Sequence, residues 1–482
     1  MARSAHPPPL PDGLVAFVKR DCPTCVAVAP VLAKLGAELP LRVVTQDDPG
    51  FPEGLAPQHD ADLALSWHHA IEAVPTLLRV EGGRETARAV GWHREEWEAL
   101  SGAEGLGPGL PPTRPGCGSL SEDPAVAPAL RARFEAHRLH ARRVELAPME
   151  DEIEALFDRG WSDGLPLVPP TEARVLAMLD GTAREPHEVV AEVPPDLVPC
   201  TVEKVAVNAV MAGCLPEHLP VVLTAVEAAC TDAFNMHGLL ATTMPGGPVI
   251  VVNGPVRRRL RMNAGGNVFG QGNRANLTIG RALQLVVRNV GGGRPGGVDR
   301  ATHGNPGKLS FCFAEDEEGS PWEPLATARG VPAGRDALTL FPGEAPRCVV
   351  DQLSREPESL ARSFAAALRT VHHPKLVLAF DAILAVGPEH ARVFREAGWS
   401  REDLVARLHA LLQVPGDELV RGAGGIAEGA PEGVRGRTIP KFRPDGILVV
   451  HCGGTAGLFS AVIGGWAGGS VGSQPVTREI RP

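Results

Sequence analysis

Residues 14–25 read LVAFVKRDCPTC, and this stretch decides the fold of the first hundred residues. An apolar run of strand length passes through a short polar turn into two cysteines, and residues 22–35 continue with helical spacing. A second apolar run, LRVVT, follows at 41–45. Because strands joined by a helical crossover lie parallel, the pattern predicts an α/β unit that carries both sulfurs at the start of its first helix.

Residues 74–91 predict the second half of this unit. The run VPTLLRV at 74–80 and the run ARAVG at 87–91 flank an EGGR turn, which is typical of an antiparallel hairpin. Residues 93–100 are expected to form a closing helix.

The two cysteines are spaced for thiol–disulfide chemistry. At a helix N-terminus, the helix dipole and the free amides favour the thiolate of Cys22. Cys25 lies one turn on and can resolve a mixed disulfide. A cis Pro75 would place its loop against the sulfurs and would leave the Val74 backbone to pair with an extended substrate segment.

The order of these features over residues 10–102 resembles the thioredoxin superfamily. The resemblance implies a thioredoxin-like fold with a redox-active cysteine pair. Asp21 stands where thioredoxin carries a tryptophan, and Ala16 stands where it carries a buried aspartate that serves proton transfer. These departures favour a dedicated electron donor over a general disulfide reductase.

Composition along the chain predicts four segments. A thioredoxin-like domain at 1–104 is followed by GLGPGLPPTRPG at 105–116, whose four prolines and four glycines predict a stiff linker. A CGS motif segment is expected at 117–148 and a large α/β domain at 149–482, because helical patterns there alternate with apolar runs of strand length. Helices are expected at 203–213, 219–230, 359–370 and 401–412, and strands at 249–252, 376–380, 383–386 and 447–450.

Gly116, Cys117, Gly118 and Ser119 form a second thiol motif. A thiol at a turn into a helix, between glycines that allow close backbone approach, has the setting of a reactive cysteine. The motif resembles the selenocysteine-Gly-Ser-Cys (UGSC-type) group of bacterial proteins, with Cys117 at the selenocysteine position. Leu120 stands where that motif has its final cysteine, so the resemblance implies that Cys117 needs an outside reductant, which the CPTC domain could supply.

Residues 150–482 resemble the large domain that accompanies this group. The matching motifs are GWSDGLPLVPP at 160–170, NAVMAGC at 208–214, GNRAN at 272–276, GNPGK at 304–308, FAEDEE at 313–318 and VGPEH at 386–390. No reaction is established for the group. The resemblance therefore implies thiol or selenol redox chemistry without naming a substrate.

Residues 263–312 are the densest polar stretch of the large domain, and two interpretations stay open. Backbone amides at the start of an expected helix, with Asn273 and with Arg274 or Arg281, could bind a carboxylate or phosphate. The alternative is a structural turn held by asparagine side chains. His303 and Lys308 flank the GNPG turn that follows, and they are further candidates for substrate binding.

Two candidate residues follow on an expected strand. The alternation in FCFAE at 311–315 places Cys312 on the face opposite the two phenylalanines, so its thiol belongs either to a site or to a second packed face. Glu315 is a candidate general acid or base. A solvated acidic run at 315–318 is the alternative.

Cys452 ends the apolar run ILVVHC at 447–452, before a Gly-rich turn. Ligands of an open α/β sheet bind at the carboxyl ends of strands, where glycines let the backbone donate to an oxyanion. Cys452, beside His451, is therefore the candidate nucleophile of the large domain, and a small packed residue is the alternative. Three cysteines with apolar helical neighbours are expected to be buried structural thiols: Cys200, Cys214 and Cys230.

Neither a metal nor a cofactor is expected, because no dedicated ligand spacing is found. Cys22 and Cys25 as a structural zinc pair would need two further ligands, for which His68 and His69 are the nearest. Side chains that can bind a metal ion, but without the spacing of a metal motif, also occur in TDAFNMHG at 231–238.

Composition excludes several classes of function. The net charge of −10 argues against nucleic acid as a partner, and no apolar stretch is long enough to span a membrane. The N-terminus lacks an apolar signal core. Nine cysteines in 482 residues are odd in number and too sparse for a secreted disulfide framework. The sequence therefore predicts a cytoplasmic protein, and it leaves a homo-oligomer open.

The leading hypothesis is a thiol-dependent oxidoreductase. Its CPTC domain would reduce a reactive cysteine of the C-terminal part, with Cys117 as first choice and Cys452 as second, and an external thiol reductase would restore the CPTC pair. The substrate is expected to be a small molecule, and an anionic group on it is one alternative. Two other hypotheses stay open: a lyase or hydrolase with a cysteine nucleophile and a repair domain, and a soft-metal or metalloid-binding protein with Cys22, Cys25 and Cys117 as a transfer chain.

Overall fold

The computed structural model describes residues 8–469 and 472–481. It divides the chain into two compact units, residues 1–137 and 138–482. Both units combine helices with strands in sheets, so the α/β class is confirmed. The expected first and last domains also include residues 1–7, 470–471 and 482, which lie outside the described residues. No helix in the described part of the chain has the length and apolar content needed to cross a bilayer.

The first unit begins with a strand, a helix and a parallel strand. Its strands are β1 (Gly13–Val18), β2 (Leu41–Thr45), β3 (Gln58–His59), β4 (Ala73–Val74), β5 (Thr76–Glu81), β6 (Arg84–Val90), β7 (Trp92–His93), β8 (Thr113–Arg114) and β9 (Cys117–Gly118). Its helices are α1 (Pro23–Glu38), α2 (Ala64–His68), α3 (Arg94–Ser101) and α4 (Ala127–Glu135).

Five of these strands form one sheet in the order β3-β2-β1-β5-β6. β1 pairs with β2 in parallel, and β5 pairs antiparallel with both β1 and β6. The predicted crossover and hairpin are therefore confirmed. Residues of β1, α1, β5 and α3 share one core, which includes Phe17, Leu32, Leu77 and Trp97. The burial of β1 at the centre of this core fixes the position of the two cysteines that follow it.

Residues 105–116 differ from the expected linker, because they pack along the first unit. Leu106 is fully buried in the core of that unit. The indole of Trp92 and the guanidinium of Arg94 donate hydrogen bonds to carbonyls of this stretch. The division between the two units falls after His137.

The second unit is built on an eight-stranded sheet. Its strands are β10 (Val189–Val193), β11 (Val198–Thr201), β12 (Gly247–Asn253), β13 (Cys312–Ala314), β14 (Ala337–Gly343), β15 (Arg347–Val350), β16 (Phe380–Val386), β17 (Gln413–Pro415), β18 (Thr438–Pro440), β19 (Ile447–His451), β20 (Phe459–Ala467) and β21 (Val476–Glu479). Its helices are α5 (Glu152–Asp158), α6 (Glu172–Leu179), α7 (Val202–Ala212), α8 (Leu219–Ala229), α9 (Met236–Ala241), α10 (Val256–Arg259), α11 (Arg274–Asn289), α12 (Leu325–Ala328), α13 (Pro357–Arg369), α14 (Pro388–Glu396), α15 (Arg401–Leu411) and α16 (Gly416–Leu419).

The main sheet runs β13-β12-β14-β20-β16-β19, with β21 on β14 and β15 on β20. Alternate residues of its strands face two different cores. Val251 of β12 and Ile383 of β16 share an inner core. Ile250 packs with α7, α8 and α11, whereas Leu384 packs with α13, α14 and α15. The two halves of the sheet therefore pack on each other, and each outer face is covered by helices.

The link between β14 and β20 is a single residue pair, Gly343 opposite Gly465. A Cβ atom on Gly343 would lie 2.7 Å from Cγ2 of Val249 and 2.9 Å from Cγ2 of Ile463. Real Cβ atoms do not approach so closely, so only glycine allows the two halves to meet at this point.

The strand predicted at 376–380 is wrong, because residues 376–379 form a loop and β16 begins at Phe380. The buried ammonium of Lys441 donates to the carbonyl oxygens of Val371, His373 and Leu376. This distant lysine satisfies the Leu376 carbonyl, which a strand would use in its ladder.

Replacing Gly343 with alanine is expected to destabilise the second unit by about 1–3 kcal/mol, the usual cost of forcing volume into a packed core. Gly433→Ala is the matched control, since a Cβ at Gly433 has nothing within 4 Å. Urea unfolding of the full chain, followed by circular dichroism, gives the midpoints to compare. Equal midpoints for the two variants would contradict the close approach at Gly343.

Candidate redox site

Cys22 lies at the end of β1 and is the N-cap residue of α1. The backbone N–H of Cys25 donates to the Cys22 sulfur, with 3.3 Å between N and Sγ. The same Sγ lies 3.3 Å from the carbonyl oxygen of Val74, and the peptide bond from Val74 to Pro75 is cis. The Pro75 loop thus lies against the sulfur, where the sequence predicts it.

Cys117 lies on the other side of the Cys22 sulfur. The short strand β9 pairs antiparallel with β4, which places Cys117 opposite Val74 and Gly118 opposite Ala73. Cys117 therefore lies beside the Cys22 sulfur, which is 3.3 Å from the carbonyl oxygen of the same Val74. An extended segment of the chain therefore occupies the position expected for a substrate. The prediction that the reactive Cys117 belongs to the C-terminal part is corrected, since it lies in the first unit.

Side chains of the first unit hold this segment on both sides of Cys117. The Thr24 hydroxyl donates to the carbonyl of Pro115 at 2.8 Å, and the Lys19 ammonium donates to the carbonyl of Gly118 at 2.9 Å. A Cβ atom on Gly116 would lie 2.8 Å from the carbonyl oxygen of Val74. Glycine at 116 is therefore what lets the segment approach the Pro75 loop.

Gln46, just after β2, anchors the chain beyond Cys117. Its buried amide donates to the hydroxyl of Ser119 at 2.6 Å and to that of Ser66 at 2.9 Å. Its oxygen accepts from the backbone N–H of Leu120 at 3.0 Å. The sequence analysis did not single out Gln46, Lys19 or Thr24. Their roles depend on contacts over long sequence distances, for which the sequence carries no local signal.

The pKa values of the three thiols of this site are shifted in different directions. Burial raises the pKa of Cys22, but hydrogen bonds from the Cys117 thiol and from the amides of Cys25 and Thr24 outweigh it, so this pKa lies below its ordinary value. Burial raises the pKa of Cys25 far above that value. Burial and the neighbouring Cys22 sulfur raise the pKa of Cys117. These shifts favour ionisation of Cys22 over that of Cys25 and Cys117.

The candidate thiols of the second unit have a different setting. Cys452 is buried, and its burial, followed by the charges of Glu315 and Asp316, raises its pKa. Cys312 faces the helices, opposite its two phenylalanine neighbours as predicted, and burial raises its pKa too. Burial raises the pKa of three further thiols to about 12: Cys200, Cys214 and Cys230. None of these five thiols has the environment of a thiolate.

The predicted substrate-binding residues bond to different parts of the second unit. Asn273 caps α11 by accepting from the N–H of Asn276 at 3.0 Å, and the Arg274 guanidinium donates to the Gly213 carbonyl at 2.9 Å. These contacts favour the structural turn over the anion site. In the turn that follows, Lys308 pairs with Asp299 at 2.7 Å and His303 is exposed.

Glu315 is fully buried, so a solvated acidic run is wrong for this residue. Its carboxylate accepts from the Asn253 amide and from the N–H of Leu325, both at 2.7 Å, and it lies 4.0 Å from the Arg401 guanidinium. Burial raises its pKa above the ordinary value, although these partners oppose the shift.

Within residues 8–469 and 472–481, no three His, Cys, Asp or Glu side chains are gathered so that they could hold a metal ion. His68 packs edge-on against the ring of Phe134, and His69 bonds to the carbonyl of Pro8 at 2.8 Å. These histidines therefore have protein partners of their own.

The site consists of three sulfurs of one unit: Cys22, whose pKa is lowered, Cys25 one turn further along α1, and Cys117 on a strand-paired segment. Such an arrangement can pass a disulfide from one sulfur to the next. Comparisons of the chain with models of protein families, with curated proteins and with solved structures find no match.

Proposed function

We propose that the first unit is a thiol–disulfide oxidoreductase of thioredoxin-like fold whose immediate substrate is its own Cys117. The sheet order, the thiolate at the start of α1 and the Pro75 loop beside it support the fold. One observation carries the function: Cys117 lies on a strand that pairs with Val74, whose carbonyl oxygen is 3.3 Å from the Cys22 sulfur. A segment that pairs in this way presents its sulfur to the nucleophile.

In the first step, Cys117 is oxidised by a small two-electron oxidant such as a hydroperoxide. The Cys22 thiolate takes up the Cys117 proton as the Cys117 sulfur attacks the peroxide, and one oxygen atom passes to Cys117 as a sulfenic acid. The leaving alkoxide or hydroxide takes that proton from Cys22 and departs as an alcohol or water. The Cys22 thiolate then attacks the Cys117 sulfur. The S–S bond forms, the S–O bond breaks, and the hydroxide leaves as water after it takes up a proton.

In the second step, the Cys25 sulfur attacks Cys22 and releases Cys117. The Cys25 thiol gives up its proton as the new S–S bond forms, and Cys117 leaves as a thiolate that takes up a proton. The raised pKa of Cys117 makes it a ready proton acceptor at this point. An external dithiol reductase then reduces the Cys22–Cys25 disulfide, as expected for a protein of the reducing cytoplasm.

We assign no redox thiol to the second unit, whose sequence resembles the large domain of the UGSC-type group. Burial raises the pKa values of its candidate thiols, Cys312 and Cys452. A thiol that stays protonated at neutral pH is a poor nucleophile. The lyase or hydrolase alternative with a cysteine nucleophile therefore has no observation in its favour.

Among the buried thiols, limiting iodoacetamide at pH 7 is expected to modify Cys22 first, because its pKa lies below the ordinary thiol value. Cys117→Ala should raise the pKa of Cys22 by removing a hydrogen-bond donor to the thiolate, so the alkylation rate at pH 7 should fall while the rate at pH 10 stays the same. Mass spectrometry of the full chain over a pH series measures both rates. The buried thiols Cys200 and Cys214 serve as internal controls, since their pKa values lie at about 12.

Cys25→Ser is expected to trap the Cys22–Cys117 disulfide after a brief treatment with hydrogen peroxide, because the resolving thiol is missing. The protein should lose two hydrogen atoms, and a cross-linked peptide joining residues 22 and 117 should appear in a non-reducing digest. Cys25→Ser combined with Cys117→Ala is the matched control and should form no such cross-link. A trapped Cys22 joined to any other cysteine, or no cross-link at all, would overturn the proposal.

The wild-type chain is expected to reduce unfolded disulfide proteins such as insulin slowly, because its own segment occupies the substrate position. Gly116→Val should displace the segment through a clash with Val74 and should increase the insulin reduction rate by about 10-fold or more, equivalent to losing about 1.4 kcal/mol of segment binding. Gly118→Val is the matched control, since a Cβ at Gly118 meets nothing within 4 Å. Equal rates for the two variants would show that the segment does not block the site.

A further inference from the structure

A cavity of about 470 Å³ lies in the second unit among α5, α6 and α7. Three side chains of its lining belong to the core of these helices or pack on it: Leu156 of α5, Val175 of α6 and Val207 of α7. Leu139 and the indole ring of Trp161 pack against the same core and line the cavity too. Such a lining fits an aliphatic chain, because binding would remove apolar surface of both partners from water.

Residues 139–147 run along this cavity and are held at both ends. The carboxylate of Glu203, which is buried, accepts from the backbone N–H of Ala141 at 2.9 Å. The backbone N–H of Ala147 donates to the Glu150 carboxylate at 3.1 Å. All residues from 141 to 146 line the cavity. Its wall is therefore held in place by the chain itself, which lowers the entropy cost of binding a ligand there.

An opening of about 360 Å³ adjoins the cavity, since all five residues that line the opening also line the cavity. Two of these residues are Val144 and Trp161, and the other three are arginines: Arg142, Arg143 and Arg159. Four acidic residues line the cavity but do not line this opening: Glu145, Glu152, Glu172 and Glu203. The surroundings therefore change from apolar in the cavity to cationic at the opening.

Arg142 is the arginine of this opening that has no acidic partner. Arg143 pairs with Glu172, and the Arg159 guanidinium lies 3.0 Å from the Glu150 carboxylate. Arg142 is exposed, and its guanidinium has neither a hydrogen bond nor an ion pair with any of residues 8–469 and 472–481. A guanidinium presents a planar fork of donors that matches the two oxygens of a carboxylate. One carboxylate can therefore bind at the opening without displacing an existing pair.

We propose that the second unit binds a medium-chain aliphatic carboxylate, with the chain in the cavity and the carboxylate at Arg142. The carboxylate stays at the opening, where water still reaches it, so no charge enters the apolar cavity. The chain meets the aliphatic side chains of the three helices and the ring of Trp161. Both parts of the ligand are needed, since the cavity alone gives no preference for an anion and the arginine alone gives no preference for a chain.

Isothermal titration calorimetry of the full chain with octanoate at pH 7 tests this proposal. Octanol has the same chain without the charge, and acetate has the same charge without the chain. We expect one octanoate to bind per chain, octanol to bind about 5-fold or more weakly, and acetate to give no detectable heat. No binding of octanoate, or equal affinities for octanoate and octanol, would overturn the proposal.

Arg142→Gln should weaken octanoate binding by about 5-fold or more, because it removes the partner of the carboxylate, and it should leave the affinity for octanol unchanged. Arg437→Gln is the matched control, since Arg437 is an exposed arginine that lines neither the cavity nor the opening. It makes the same change in net charge and should bind octanoate as the wild-type chain does. Equal affinities of the two variants for octanoate would overturn the assignment of the carboxylate to Arg142.

Val207→Phe places a ring in the cavity and should weaken the binding of octanoate and octanol alike. Urea unfolding of the variant shows whether it is folded. A folded Val207→Phe chain that binds octanoate as tightly as the wild type would overturn the placement of the aliphatic chain. These measurements do not involve the thiols of the first unit, so their outcome is independent of the redox proposal.

Discussion

The pairing of the segment around Cys117 with Val74 is the contact on which the redox site depends, because it places Cys117 beside the Cys22 sulfur. Cys22 is almost fully buried, and burial alone would raise the pKa of its thiol. Interactions with the Cys117 thiol, with the amide and thiol of Cys25, and with the Thr24 amide bring this pKa below its ordinary value. Burial and the neighbouring Cys22 sulfur raise the pKa of Cys117, so the contact favours ionisation of Cys22 over that of Cys117.

The contacts that bring Cys117 to Cys22 come from the first unit alone. Thr24 and Lys19 bond to carbonyls on either side of Cys117, and Gln46 holds the residues that follow. A partner on the same chain meets the nucleophile at an effective concentration that a free substrate rarely reaches. Three sulfurs held in this way favour repeated exchange among themselves over exchange with other proteins.

The first unit could be predicted from sequence where local pattern and tertiary structure agree. The periodicity of residues 14–45 and the turn between residues 80 and 87 were enough to predict the parallel pair of β1 and β2 and the hairpin of β5 and β6, because short-range spacing decides which residues form strands. The strand pair of β4 and β9 could not be predicted. Each of these strands has only two residues. Side chains that are distant in sequence hold the two strands together.

The composition of residues 105–116 predicted a linker wrongly for a related reason. Prolines and glycines predict the absence of regular structure, but they do not predict the absence of packing. Leu106 fills the core, and side-chain donors such as Trp92 and Arg94 satisfy the carbonyls of the stretch. The same lesson holds at 376–380, where one buried lysine, Lys441, binds the Leu376 carbonyl at the start of an apolar run that looks like a strand.

The second unit shows why neighbours in sequence are unreliable partners in a site. Cys452 and His451 are adjacent, yet the imidazole of His451 donates from Nδ1 to the Val386 carbonyl at 3.0 Å and its Nε2 lies 3.5 Å from the Asp316 carboxylate. Successive side chains of a strand point to opposite faces, so adjacency keeps this pair apart.

Ser460 and His390 are 70 residues apart and hydrogen-bond directly. The Ser460 side chain lies on the strand face of its neighbour Val386, which packs with the helices, and His390 is fully buried in α14. This bond therefore joins β20 to α14 within the helix-covered core. Residues distant in sequence meet there because the sheet register and the helix packing bring them together, whereas adjacency along a strand separates side chains.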